Sequence, residues 1–201
     1  MIRNIVLDIG NVLAHFCWEK VLREYIGLEG EEFERVAQAT VRGGMWPELD
    51  RSELTDKEVL ENCIRKSPQD EESIRMLFSY LGDLVVDFDY SEDWIRGLKE
   101  RGFNVYILSN FGKTSYEGCR EKGNLAFVDL TDGALISYEV KKVKPEKEIY
   151  QAFLERFSLV PEECLFFDDR EDNILAAREQ GMNAEVFTDL ASAEKLLNRI
   201  R

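Results

Sequence analysis

The stretch NIVLDIGNVLAHF, residues 4–16, decides how the rest of the chain is read. Asn4 to Ile9 is an apolar run broken only by Asp8 near its end, which suits a strand covered on both faces. An acid at the end of such a strand, with Gly10 and Asn11 close behind it, needs a chemical reason.

Working outward, comparable runs recur as FNVYILS (103–109), CLFF (164–167) leading into Asp168 and Asp169, and NAEVF (183–187). Amphipathic, helix-like stretches precede two of them: DWIRGLKERG (93–102), ending in glycine, and NILAAREQGM (173–182), closed by Gly181. Strands alternating with helices predict a parallel α/β sheet. TDGALISYEV (131–140) reads as a turn with a short strand or hairpin. The alternation fails between residues 17 and 87, where WEKVLREYIG, EEFERVAQATVR, DKEVLENCIRK and EESIRMLFSYLG each carry apolar residues at helical spacing. GGMWPELDRSELT lies among them, and the next strand-like run is LVVDF (84–88). The expectation is an α/β protein with a Rossmann-like, doubly wound parallel sheet in residues 1–15 and 89–201. A small helical-bundle cap, residues 16–88, is inserted after the first strand. The stripe Leu22, Tyr25, Val36, Val59, Leu60, Ile74 and Leu77 is expected to pack within that cap.

Composition narrows the function classes. A chain of 201 residues, 44% hydrophobic, can bury a sizeable core in one domain or one domain with an insertion. A formal net charge of −14 argues against nucleic acid and anionic membranes as partners, though a bound cation can reverse the field locally. The four cysteines (Cys17, Cys63, Cys119, Cys164) form no CxxC pair and read as reduced, buried thiols. The first apolar run contains Asp8 and falls far short of the ~20 residues of a membrane span. A cytoplasmic protein, monomeric by default, is expected.

Three core strands end in polar groups: Asp8, then Ser109 and Asn110, then Asp168 and Asp169. In open parallel sheets ligands sit at the carboxyl ends of the strands, so these groups are expected to share one site. Lys144, in KKVKPEKEIY, falls just before a proline where a helix would begin. Such a set suits phosphoryl transfer through a carboxylate nucleophile. Asp8 would attack phosphorus, while Ser109, the Asn110 backbone N–H and Lys144 answer the charge on the equatorial oxygens. Asp169 with Asp8 would hold Mg²⁺, a hard cation commonly held by one or two carboxylates plus phosphate.

Taken in order, VLDIGNVL, ILSN, KPEKEIY and LFFDDREDN resemble the four motifs of the haloacid dehalogenase-like hydrolases. The variant most resembles the bacterial sugar-phosphate phosphatases of that superfamily. The resemblance implies a nucleophile at Asp8 and a Mg²⁺ site from the Asp8 carboxylate, the Gly10 carbonyl and Asp169. It also implies phosphate contacts from Ser109, Asn110, Lys144 and Asn11, with Asp168 and Asn173 beside the metal. The expected substrate is a small phosphorylated metabolite, with a sugar phosphate foremost.

One departure matters. Most phosphatases of this superfamily carry a second Asp two residues after the nucleophile to protonate the leaving oxygen; here that residue is Gly10. A lost general acid typically costs roughly 10²–10⁴-fold in rate. Either the leaving group needs little protonation, as with a sugar 1-phosphate, or it is a halide and the chain a 2-haloacid dehalogenase, or the fold only binds a phosphorylated ligand. His15, the only histidine, is a candidate replacement acid or a wall residue satisfied by backbone. Trp46 either lines the substrate side of the cap or packs inside it. Arg42 and Arg51 read foremost as solvated helix charges.

Overall fold

The computed structural model describes residues 1–200. Strand β1 (Asn4–Leu7) is fully buried and lies at the centre of a five-stranded sheet. β2 (Ala14–Phe16) and β3 (Val85–Asp87) form a separate antiparallel ribbon. The main sheet is completed by β4 (Asn104–Ser109), β5 (Gly133–Ile136), β6 (Cys164–Asp168) and β7 (Asn183–Val186). Its order is β5-β4-β1-β6-β7, and every pairing is parallel.

Both faces of the sheet are covered, which is why its central strands lack polar alternation. Ile5, Leu7, Ile107 and Phe167 face one core with the helix Ser91–Glu100. Val6, Leu108 and Phe166 face the other, against Ile149, Tyr150 and Phe153 of the helix Lys147–Arg156 and Ile174 of the helix Glu171–Glu179. Register then places the site. Leu7 lies opposite both Ile107 and Phe167, so one residue further Asp8 comes level with Leu108 and Asp168.

Between β2 and β3 the chain is helical: Gly30–Ala39, Trp46–Arg51, Asp56–Lys66 and Glu71–Ser79 follow a short helical start at Trp18–Lys20 and Val21–Tyr25. Phe33, Val36, Val59, Cys63, Ile74 and Leu77 fill its interior. Thr55 and Glu58 cap the third of these helices reciprocally, each side chain satisfying the other residue's backbone N–H. Arg35 grips the buried Asp70 with two bonds of 2.9 and 2.8 Å, tying the first helix to the turn before the last. Chain entry and exit lie side by side, because the ribbon pairs Ala14 with Asp87 and Phe16 with Val85.

Of the two forms open to TDGALISYEV the structure has the short strand: Gly133–Ile136 pairs in parallel on the sheet edge beside β4, and Ser137–Val140 turns helical. LVVDF is a strand, as its composition suggests, and pairs back on His15 and its neighbours. Tyr25 is not interior; it is 43% exposed, with its ring tilted on Tyr80. GGMWPELDRSELT, read without an element of its own, contains the helix Trp46–Arg51, begun by Pro47 in its first turn. The four cysteines are unbridged, and among the described residues no helix is long and apolar enough to cross a membrane.

Where the helical segment returns to the sheet, two glycine backbones touch. A Cβ on Gly118, in the helix Lys113–Glu121, would lie 2.9 Å from the Gly82 Cα. Gly97, inside the helix Ser91–Glu100, has nothing within 4 Å of such an atom. Gly97→Ala is therefore expected to raise stability by roughly 0.5–1 kcal/mol through helix propensity. Gly118→Ala is expected to lower it despite the same propensity gain, and urea unfolding of the two variants checks both signs.

Candidate active site

The carboxyl edge of the sheet carries the charged groups. β1 delivers Asp8, β6 delivers Asp168 and Asp169, and the loop after Ser137–Val140 delivers Lys144. The Lys144 Nζ lies 2.9 Å from Asp8 Oδ1 and 2.6 Å from Asp168 Oδ2, and donates to the Leu108 carbonyl at 3.0 Å. Its side chain is 1% exposed, so the ammonium has exchanged its hydration for two carboxylates and a carbonyl. The loop holding it is clamped by Asn110, which donates to the Lys144 carbonyl at 3.0 Å and accepts from the Lys144 N–H at 2.8 Å.

Asp168 is fully buried and has no free oxygen. It accepts from Lys144, from both-ended contacts with the Asn173 amide at 2.9 and 3.0 Å, and from the Arg170 backbone N–H at 2.9 Å. The Oδ1 of Asn173 is buried without a partner. Asp169 accepts from the Asn11 amide at 2.8 Å. Asn11 adopts the left-handed conformation that Asn tolerates (φ 55°), and its backbone N–H donates to the Ala14 carbonyl at 2.7 Å. As placed, Asn11 orients Asp169, and its backbone N–H is already spoken for.

Burial pushes the Asp8 carboxyl up to about 6; Lys144 works against this and Asp168 with it. Burial also opposes the charge on Lys144, but Asp168 and Asp8 outweigh it and hold the ammonium above its ordinary value. Asp169 is raised, mainly by burial, with the Asn11 hydrogen bond opposing.

Oxygens of Asp8, Asp168 and Asp169 lie within 4.8 Å of one another. With Asp168 fully occupied by donors, Asp8 and Asp169 are the carboxylates with capacity to spare, and the Gly10 carbonyl belongs to the same loop. This hard, oxygen-only donor set with surplus negative charge fits Mg²⁺.

A cavity of about 170 Å³ opens over these groups. Asp8, Gly10, Asn11, Ser109, Asn110, Lys144, Asp169 and Asn173 line it from the sheet side, Phe16, Trp46, Leu49 and Asp50 from the helical side. The volume lies below the ~300–1,000 Å³ of pockets that enclose drug-sized ligands, so a small polar metabolite fits it. Trp46 does line the pocket, its ring 6.0 Å from that of Phe16. His15 does not: it is exposed on β2, with its ring 4.1 Å from Phe88.

Arg42 and Arg51 separate. Arg42 stays at the surface, pairing with Glu34 and Glu19 and covering Trp18. Arg51 is not a solvated charge: its side chain is 16% exposed and grips Glu146 through two bonds of 2.8 and 2.7 Å.

Asp50 escaped the reading of the sequence. Its neighbours Trp46 and Arg51 drew notice, but an Asp in a stretch assigned no helix carries no orientation. A proline starting a short helix, with the acid one turn later, was the available signal.

A strand-end acid, a buried lysine and a paired acid under a helical insertion define a hydrolase of the α/β class. The chain belongs to the haloacid dehalogenase-like hydrolases, whose family model matches residues 2–181. A D-ribitol-5-phosphate phosphatase of Bacteroides thetaiotaomicron is 28% identical over 90% of this chain and 89% of its own. Phosphatase MT3486 of Mycobacterium tuberculosis is 30% identical over 91% and 86%. Among solved structures, a haloacid dehalogenase family enzyme of B. thetaiotaomicron, in complex with magnesium and inorganic phosphate, superposes with a TM-score of 0.73. It is 23% identical, and the match covers 96% of this chain and 99% of that one. The L-2-haloacid dehalogenase of Xanthobacter autotrophicus shares the fold with a TM-score of 0.66 at 16% identity, covering 98% and 83%.

Burial pushes the Asp50 carboxyl up to about 7, the Gly112 backbone N–H opposing and the charge of Asp8 adding to it. A folded pKa above the unfolded one means that the native state holds the extra proton, so stability falls as pH rises from about 4 to about 7. Asp50→Asn is expected to flatten that fall and to gain stability over the wild type at pH 8, as thermal melts across the range would record.

Proposed function

We propose that this protein is a Mg²⁺-dependent phosphomonoesterase acting on a small phosphorylated polyol or sugar through an aspartyl-phosphate intermediate. The observation that carries the reading is the Lys144 ammonium, 2.9 Å from Asp8 and opening with it onto a small polar cavity. In this reading residues 16–88 form a cap over a core of residues 1–15 and 89–201.

Each residue has a task. Asp8, oriented by the Lys144 contact, attacks phosphorus while the ester oxygen departs on the opposite side. Lys144, Ser109 and the Asn110 backbone N–H face the phosphoryl oxygens as their charge develops. Asp168, itself held by the Asn173 amide, acts on Lys144: by filling the far side of the ammonium it fixes its direction. Mg²⁺, held by Asp8, the Gly10 carbonyl and Asp169 oriented by Asn11, would cancel the repulsion between nucleophile and phosphate dianion. Trp46 and Leu49 offer an apolar face to the carbon skeleton.

The substrate class is supported by the small cavity and by the polyol phosphate named for the B. thetaiotaomicron relative. The dehalogenase reading is weaker, since Asp8 and Asp169 together would repel the carboxylate of a haloacid, and halide displacement has no use for the cation they suit.

Asp8→Asn is expected to bring phosphate release to background while circular dichroism stays unchanged; sustained hydrolysis would remove the nucleophile. Excess EDTA should stop the wild-type reaction and added Mg²⁺ restore it, followed by released phosphate. Turnover that persists in EDTA would point to metal-independent chemistry.

A further inference from the structure

Gly10 is not there for the backbone. It is absent from the positive-φ residues, and a Cβ built on it would meet nothing nearer than Asp8 Oδ2 at 4.0 Å. Position 10 has room for a side chain beside the nucleophile and lacks one. The cavity therefore has no acid on the sheet side of the leaving group, apart from those engaged with Lys144, Asn11 and the phosphate.

The opposite wall supplies one. Asp50 lines the same cavity as Asp8 and Gly10, from the helix Trp46–Arg51. Among the described residues no side chain hydrogen-bonds or pairs with its carboxyl, which the Gly112 backbone N–H meets, and the C-terminal end of its helix is fastened to the core. The Asp50 carbonyl accepts from Ser137 Oγ at 2.7 Å, and the next residue, Arg51, holds Glu146, two residues beyond Lys144. Ser52 Oγ accepts from the Lys113 N–H at 3.3 Å, and Asp56 accepts from the Thr114 hydroxyl. Gly112 makes room for the contact, since a Cβ there would come within 2.8 Å of the Leu49 carbonyl. A carboxyl met by one backbone N–H and by no side chain, on a helix held this firmly, is a positioned group.

We propose that Asp50 is the proton donor to the leaving oxygen, placed on the helical insertion where the core strand has lost its own. The inference rests on the phosphomonoesterase reading above. As the Asp8 oxygen bonds to phosphorus and the ester P–O bond breaks, the Asp50 proton passes to the departing alkoxide, which leaves as the alcohol. Asp50, now a carboxylate, takes a proton from the water that attacks the aspartyl phosphate. The P–O bond to Asp8 then breaks, inorganic phosphate leaves, and Asp8 returns as a carboxylate with Asp50 protonated again. Burial that keeps the Asp50 carboxyl near 7 suits a donor working at neutral pH. A donor of this kind also removes the need for an acidic leaving group, so a primary alcohol phosphate comes within reach.

The test compares two esters in the Mg²⁺-loaded enzyme. Ribitol 5-phosphate leaves as a basic alkoxide unless protonated; p-nitrophenyl phosphate leaves as a stable phenolate. Asp50→Asn, and Asp50→Ser as a second variant, are expected to lose about 10²–10⁴-fold in kcat/KM on ribitol 5-phosphate. The loss on p-nitrophenyl phosphate should be smaller by at least a factor of about ten. Gly10→Asp, added to Asp50→Asn, should recover part of the ribitol 5-phosphate rate. Equal losses on the two esters, or none on either, overturn the role of Asp50 and leave the phosphatase reading standing. A wild-type enzyme that releases phosphate from neither ester overturns that reading and this inference with it.

Discussion

The Lys144 ammonium, buried between Asp8 and Asp168, is the contact on which the rest of the site depends. Each of these charges would be costly to bury alone, and removing one partner of such a group strands the others. Their meeting is set by sheet register: with Leu7 level with Phe167, Asp8 and Asp168 must emerge together at the carboxyl edge. Lys144 arrives from outside the sheet and is held in place by Asn110 at the end of β4. Three of the five strands are thus committed to one ammonium. Counting Asp169, the group retains more negative than positive charge, which is the electrostatic condition for attracting a divalent cation.

The helical segment is joined to this edge by more than its two chain crossings. Arg51 to Glu146, Ser137 to the Asp50 carbonyl and the close approach of Gly112 to Leu49 fix one short helix across the cavity from Asp8. The Arg51 contact is made to the loop that also carries Lys144, so the position of this helix and that of the buried ammonium are mechanically linked. Movement of the helix would change the cavity and loosen the lysine loop together.

Much of the core was legible. NIVLDIG, FNVYILS and CLFFDD announce buried parallel strands, because a strand covered on both faces must be apolar along its whole length until it reaches the edge. The acids at their ends stood out against that background. Gly133–Ile136 was harder: at the sheet edge, with two of its four residues only half-buried, its pattern does not tell a parallel strand from a hairpin arm. LVVDF has the composition of a core strand, yet its partner is His15 and the adjoining residues, a pairing that no local pattern encodes. Tyr25 fell on a helical stripe but lies where the helix widens to a π-turn over Val21–Tyr25, which rotates it outward.

By itself the sequence determined Asp8, the paired acids Asp168 and Asp169, Lys144 and the strands that carry the acids, because each is written in the few residues around it. Tertiary structure alone decided which acid faces Asp8 across the cavity, that Arg51 is an anchor and not a surface charge, and that His15 stands outside. Those outcomes rest on contacts between residues far apart in the chain, such as Arg51 and Glu146, 95 positions apart. Such contacts form only when two separately packed layers are brought together. A short helix has no hydrophobic stripe long enough to state in advance which way its carboxylate will point.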